Sequence, residues 1–188
     1  GWTVHATTRN VDAARPLEAL EGPLFVHRFD VREDTEELIE AVGSLDVLIH
    51  NAGVGRGTPR DVMMAVNADA PIRIVQSFLD ANALNSGGKI AIMTSQMGAR
   101  RGRSDSLGDY GDSKAALNDE FRNRAAAWAE GGAVAVVVHP GWVRTDMGGD
   151  SAPLSVEESA DGIVALLDDL TPEQHGRFWT WDGRQHDW

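Results

Sequence analysis

The chain has no cysteine among its 188 residues, so disulfides and thiolate metal sites are closed to it. Its six histidines are scattered without metal-ligand spacing, and no metal is expected. No apolar run approaches the roughly 18 residues that a membrane-spanning helix needs, so no membrane partner is expected. Basic residues are scarce: 17 Lys and Arg stand against 29 Asp and Glu, a formal charge of -12. Such a surface repels phosphate backbones and argues against nucleic acid as a partner. There is also no internal repeat, long linker or low-complexity tract. Residues 1–188 therefore read as a single domain, with 42% hydrophobic residues to build its core.

The apolar segments that are present alternate between two periods. Val4 to Thr8, Leu24 to Phe29, Leu45 to His50, Lys89 to Thr94, Ala133 to Val138 and Arg177 to Trp181 read as strands. Helical periods over 11–20, 33–42, 61–84, 110–129 and 156–170 separate most of them. Within 61–84, Asn67 and Pro71 interrupt the pattern, and Pro71 is expected to start a new turn or bend the helix. The almost wholly apolar run at 133–138 implies a strand buried on both faces. Alternation of this kind predicts an α/β fold, a doubly wound, mostly parallel sheet of the Rossmann type. Ligands in such sheets bind beyond the carboxyl ends of the strands. Arg9, Asp30, Asn51, Ser95 and the Pro140-Gly141 turn all fall there.

Tyr110-Gly111-Asp112-Ser113-Lys114 opens one of the helices. Tyr110 and Lys114 are four residues apart, so their side chains share one helix face. An ammonium beside a phenol favours the phenolate and is expected to lower its pKa. That would suit proton transfer in carbonyl and alcohol chemistry. Short patterns of this kind also arise by chance as an exposed Tyr and Lys on an amphipathic helix. The order and spacing of the strand-end residues weigh against that simpler reading.

Taken together, these residues resemble the short-chain dehydrogenase/reductase family, in its C-factor-like carbonyl reductase branch. The marks are Asp30-Val31, Asn51-Ala52-Gly53, Asn67, Ser95, Tyr110 with Lys114, Pro140-Gly141 leading through Val143 to Thr145, and the tryptophan-rich tail from Gly176 to Trp188. The resemblance implies an oxidoreductase moving hydride between a nicotinamide cofactor and a small carbonyl or alcohol. Tyr110 would be the general acid/base, Lys114 would hold the nicotinamide ribose, and Ser95 would polarise the carbonyl oxygen. Asn67 would hold a relay water, or else satisfy backbone groups where the helix kinks.

The same resemblance gives Asn51, Ala52 and Gly53 the cofactor path, small residues permitting close approach. Asp30 and Val31 would take the adenine, although Asp30 with Glu33 also suggests a capping box. Pro140, Gly141, Val143 and Thr145 would meet the nicotinamide half. Arg9 occupies the ribose-reading position; a cation there suits a 2′-phosphate, so NADP is preferred to NAD. Arg100, Arg101 and Arg103 could face an acidic substrate, but a solvated charge run explains them more simply. By family analogy, the helices at 61–84 and 110–129 are expected to form a homodimer or homotetramer face, in a cytoplasmic protein.

One family element is missing from these residues. No Gly-x-x-x-Gly-x-Gly turn lies between a strand and a helix. Counting back roughly 20 residues from Arg9, the spacing of a dinucleotide fingerprint, leads past Gly1. In the strand order 3-2-1-4-5-6, that unit supplies the central strand. The sequence therefore reads as a fragment whose first strand and helix are absent, and two strands are expected to have unpaired edges inside the sheet. A non-catalytic C-factor-like interaction or signalling protein, binding cofactor weakly or not at all, is the alternative reading.

Overall fold

The computed structural model describes residues 1–100 and 108–188, without the side chains of residues 13, 15, 16 and 18. Its strands are β1 (Val4–Thr8), β2 (Leu24–Arg28), β3 (Leu45–His50), β4 (Leu84–Met93), β5 (Val134–His139) and β6 (Phe178–Thr180). The α-helices are α1 (Glu36–Val42), α2 (Arg60–Met64), α3 (Ala70–Asp80), α4 (Gly108–Glu130) and α5 (Val156–Asp168). Among the described residues these strands pair with one another in parallel and form two sheets, β1-β2 and β3-β4-β5-β6.

The alternation of side chains on β4 and β5 packs helices on both sheet faces. Ile90, Ile92, Ala135 and Val137 point to one side, where Leu117 and Phe121 of α4 and Ile72 and Val75 of α3 complete a buried cluster. Ala91, Met93, Val134, Val136 and Val138 point to the other, against Leu166 and Leu167 of α5. A strand buried on both faces has no polar alternation to spare, which is why β5 is so apolar. The α5 helix starts cleanly because Ser155 and Glu158 form a reciprocal capping box. Trp188 tilts against Phe121 and Phe178, while the Arg122 guanidinium covers its ring.

Several boundaries differ from the sequence reading for identifiable reasons. Residues 11–19 form a 3-10 rather than an α-helix; Pro16 lies within this stretch and has no N–H to give an α-helical ladder. α1 begins at Glu36, after a tight turn at Asp30–Glu33, so Asp30 does not cap it. The interrupted helix is α2, a π-helical turn over Ala65–Asp69, and α3. In an α-helix the carbonyl of Asn67 would accept from residue 71, and Pro71 has no N–H to offer. The loosening thus falls before the proline rather than at it. Among the described residues no helix is long and apolar enough to cross a membrane.

Candidate active site

β4 ends at Met93 and delivers Ser95 into a short 3-10 turn, Gln96–Gly98. Ser95 is buried, and its hydroxyl accepts from the Met97 N–H at 3.1 Å. Gly98 holds this turn directly against α4. A Cβ there would lie 2.7 Å from the Lys114 carbonyl carbon and 2.8 Å from its oxygen. Sequence reasoning passed over this residue, since one glycine after a strand signals only a turn. Gly98→Ala is expected to cost about 1–3 kcal/mol, as for other overpacked sites. Thermal unfolding would register the loss, and a variant as stable as the parent would contradict this packing.

Across from Ser95, the first turn of α4 carries Tyr110. Its phenol lies within reach of the Ser95 side chain, which acts on it. Burial pushes the Tyr110 pKa above its ordinary value, while Ser95 acts in the opposite direction. This reverses the expected direction. The Lys114 ammonium is turned to the Met93 carbonyl, to which Nζ donates at 2.8 Å. Lys114 is 4% exposed, and burial holds its pKa down to about 8. Helical spacing put the two side chains on one face, but the nearest acceptor to the ammonium is a strand-end carbonyl.

Asn67 is fully buried and ties three segments together. Its Oδ1 accepts from the Val54 N–H, and its Nδ2 donates to the Val54 carbonyl, both at 2.9 Å. The same Nδ2 donates to Ser113 Oγ at 3.0 Å, and Ser113 Oγ donates to the Tyr110 carbonyl. Asn67 does satisfy backbone groups, but those of Val54 in the turn after β3 rather than those of its own interrupted helix. It fixes the Asn51–Gly55 turn relative to α4. Gly53 closes against this group: a Cβ there would sit 3.3 Å from Asn67 Oδ1 and 3.8 Å from Lys114 Nζ. On the outer side, Arg60 pairs with Asp109 and Asp112, pinning the start of α4 to α2.

The remaining predicted residues form the rim. Gly141 adopts φ +88°, and a Cβ there would reach within 2.3 Å of Leu154 Cδ1, so the turn after β5 needs glycine. The Pro140 carbonyl accepts from Ser159 Oγ at 2.7 Å, and Val143 bridges to Leu154. Thr145 Oγ1 accepts from the Gly148 N–H at 3.2 Å, shaping the exposed loop whose Met147 packs on Gly55. Trp142 is exposed and donates to the Gly148 carbonyl.

Arg9, Asp30 and Val31 lie at the far end, beyond β1 and β2. Both Asp30 oxygens accept from the Arg32 guanidinium, at 3.0 and 2.7 Å, and Oδ1 also accepts the Arg32 backbone N–H. These bonds hold the Asp30 pKa down to about 2. The positive field of Arg9 reaches the same carboxylate. Arg32 was not singled out in the sequence, although its place two residues after Asp30 is the spacing of an Asx turn. Arg100 pairs with Asp119, whereas Arg101 and Arg103 lie outside the described residues.

The ends of β3 and β4, the start of α4 and the π-helical turn thus bring Asn51–Gly53, Ser95, Tyr110, Lys114 and Asn67 into one group, with Arg9, Asp30 and Val31 standing apart from it. Asn51, Ala52 and Val31 border the same cleft, between β1 and β3, so the two groups share one rim.

Residues 1–153 match the profile of the short chain dehydrogenase family. The chain belongs to this family. It is 36% identical over 156 residues to the C-signal protein of Myxococcus xanthus, an alignment covering 78% of this chain and 94% of that protein. Among solved structures, the carbonyl reductase Sniffer of D. melanogaster superposes with a TM-score of 0.84 at 28% identity. That match covers 98% of this chain and 87% of the other. A carbonyl reductase from Pseudomonas aeruginosa PAO1, in complex with NADP, gives 0.81 at 33% identity over 99% of this chain and 88% of its own. The family is one of oxidoreductases, and the doubly wound parallel fold is common to these neighbours.

Proposed function

We propose that this chain transfers hydride between NADP(H) and a small carbonyl or alcohol, with Tyr110 as the proton-transferring group. One observation carries the reading: two hydroxyls, Tyr110 and Ser95, meet at the end of β4 beside a buried lysine. A carbonyl oxygen accepting from both would be polarised and protonated at once. Ser95 is set for this by its turn, which fixes its hydroxyl against α4.

The residues fit the two ends of a dinucleotide. Gly53 offers open backbone beside Lys114 Nζ, suited to a ribose, while Val31 gives the cleft an apolar surface at its far end, next to Asp30 and the charge of Arg9. A nicotinamide dinucleotide bound there supplies or accepts the hydride. Lys114 would exchange its Met93 bond for the ribose hydroxyls, and Arg9 would take a 2′-phosphate. NADP in the Pseudomonas reductase supports the choice of cofactor.

The likeness to the C-signal protein favours a second reading, an interaction protein without catalysis. Titration with NADPH, followed by nicotinamide fluorescence, separates the two. The reductase reading expects saturable binding that Arg9→Glu weakens, and turnover with simple aldehydes or ketones. No binding up to millimolar NADPH would leave the interaction reading.

A further inference from the structure

Beside the turn Gln96–Gly98 lies a separate cavity of about 360 Å³, bordered by Gly98, by Asn118 and Arg122 of α4, and by Trp188. That volume falls at the small end of ligand sites. Its described lining includes none of Ser95, Tyr110, Lys114 and Asn67. Two buried residues set its floor. Gly98 is pressed against the Lys114 backbone, and Asn118, one helical turn beyond Lys114, is 2% exposed. Asn118 Oδ1 accepts from the Thr94 hydroxyl at 2.7 Å, which fixes the amide and leaves Nδ2 over. Among the described residues this buried Nδ2 has no hydrogen-bond partner. A buried donor left unmade destabilises a fold, and an acceptor entering the cavity would offset that cost.

The charges at the rim define the acceptor. Arg122 holds its guanidinium 5.2 Å from the centre of the Trp188 ring, and among the described residues it makes no ion pair. Both rim carboxylates are already engaged: Asp119 pairs with Arg100 at 3.4 Å, and Asp187 has an interaction of its own. One cation thus stands beside one buried neutral donor and an indole. The chain as a whole carries a formal charge of -12, so an anion held here is held by local groups rather than by the general field. We propose that this cavity binds a small aromatic carboxylic acid in its anionic form. The carboxylate accepts from Asn118 Nδ2 and the Arg122 guanidinium, whose fork of donors matches a carboxylate. Gly98 projects no side chain, so the space beside the Trp188 indole is open to a flat ring.

Benzoate is the probe, and benzamide is its neutral match in shape. Titration of the 188-residue protein is expected to show one saturable benzoate site with Kd below about 1 mM. Benzamide, which forgoes the charge-assisted bonds, should bind at least about tenfold more weakly. In NMR spectra the Asn118 side-chain amide and the Trp188 indole N–H should shift together as benzoate saturates. Arg122 is exposed, so Arg122→Gln should keep the fold while weakening benzoate at least about tenfold. A carboxylate could also settle against Ser95 and Tyr110, and Ser95→Ala separates the two places: benzoate affinity should stay within about twofold, as for independent sites. No binding up to about 10 mM benzoate, equal affinity for benzamide, or full affinity in Arg122→Gln would overturn the proposal. So would shifts confined to the surroundings of Tyr110, or loss of binding in Ser95→Ala, because benzoate would then occupy the candidate active site. None of these readouts depends on catalysis.

Discussion

Tyr110→Phe is expected to lower kcat for carbonyl reduction by about 10²- to 10⁴-fold, the usual contribution of a positioned acid, while leaving NADPH affinity within about twofold. The phenol interacts with the Ser95 side chain, and in the free site Lys114 Nζ donates to the Met93 carbonyl. Burial raises the phenol pKa, so the free site holds Tyr110 protonated at neutral pH. It is therefore poised to give a proton, the direction that reduction needs, and is poorly prepared for oxidation. Tyr110 is the only tyrosine in the chain, so phenolate absorbance reports this one residue. In the free protein its titration should lie above that of ordinary tyrosine, and Lys114→Met should leave it unmoved. A phenol titrating below the ordinary value would reverse the assignment of burial as the dominant cause, and full turnover by Tyr110→Phe would remove this residue from the mechanism.

That pKa direction separates what the chain order discloses from what packing decides. Spacing of four placed Tyr110 and Lys114 together, and apolar periods located β1 and β3 to the residue. Which carbonyl the ammonium meets depends instead on how β4 lies under α4, and no local pattern encodes that. The same holds for Asn67. Its interruption of a helix was visible, but its bonds to Val54 and Ser113 join segments 13 and 46 residues away. The start of β4 was hidden because Asn85-Ser86-Gly87-Gly88 has the composition of a turn. The structure carries those residues within Leu84–Met93, at a break in register with β3. The divided sheet, by contrast, was legible, because a glycine-rich strand–helix unit that is absent from residues 1–188 cannot pair with either neighbour.

Stability should fall steeply as pH drops from about 6.5 to 4, before most carboxylates protonate. His50 is 5% exposed, and neither ring nitrogen has a hydrogen-bond partner among the described residues. Burial, then the charges of Lys114 and Arg73, hold its pKa down to about 4. His139 is half-buried with an unpartnered Nδ1, and burial, helped by His186, holds it to about 4 as well. Both values are depressed from the unfolded value near 6.5. The unfolded chain therefore takes up protons first as pH falls, and stability that is complete above about 6.5 is lost through about 4. For His50 the loss approaches about 3 kcal/mol, taking about 1.4 kcal/mol per unit; it is smaller for the partly solvated His139. Urea unfolding at pH 7 and pH 4.5 measures the difference. His50→Phe keeps an aromatic ring of similar bulk without the titration, so it should flatten the acid limb. A His50→Phe profile parallel to that of the parent would place the acid sensitivity elsewhere, since the charge that His50 must accept lies beside two cations already fixed in the fold.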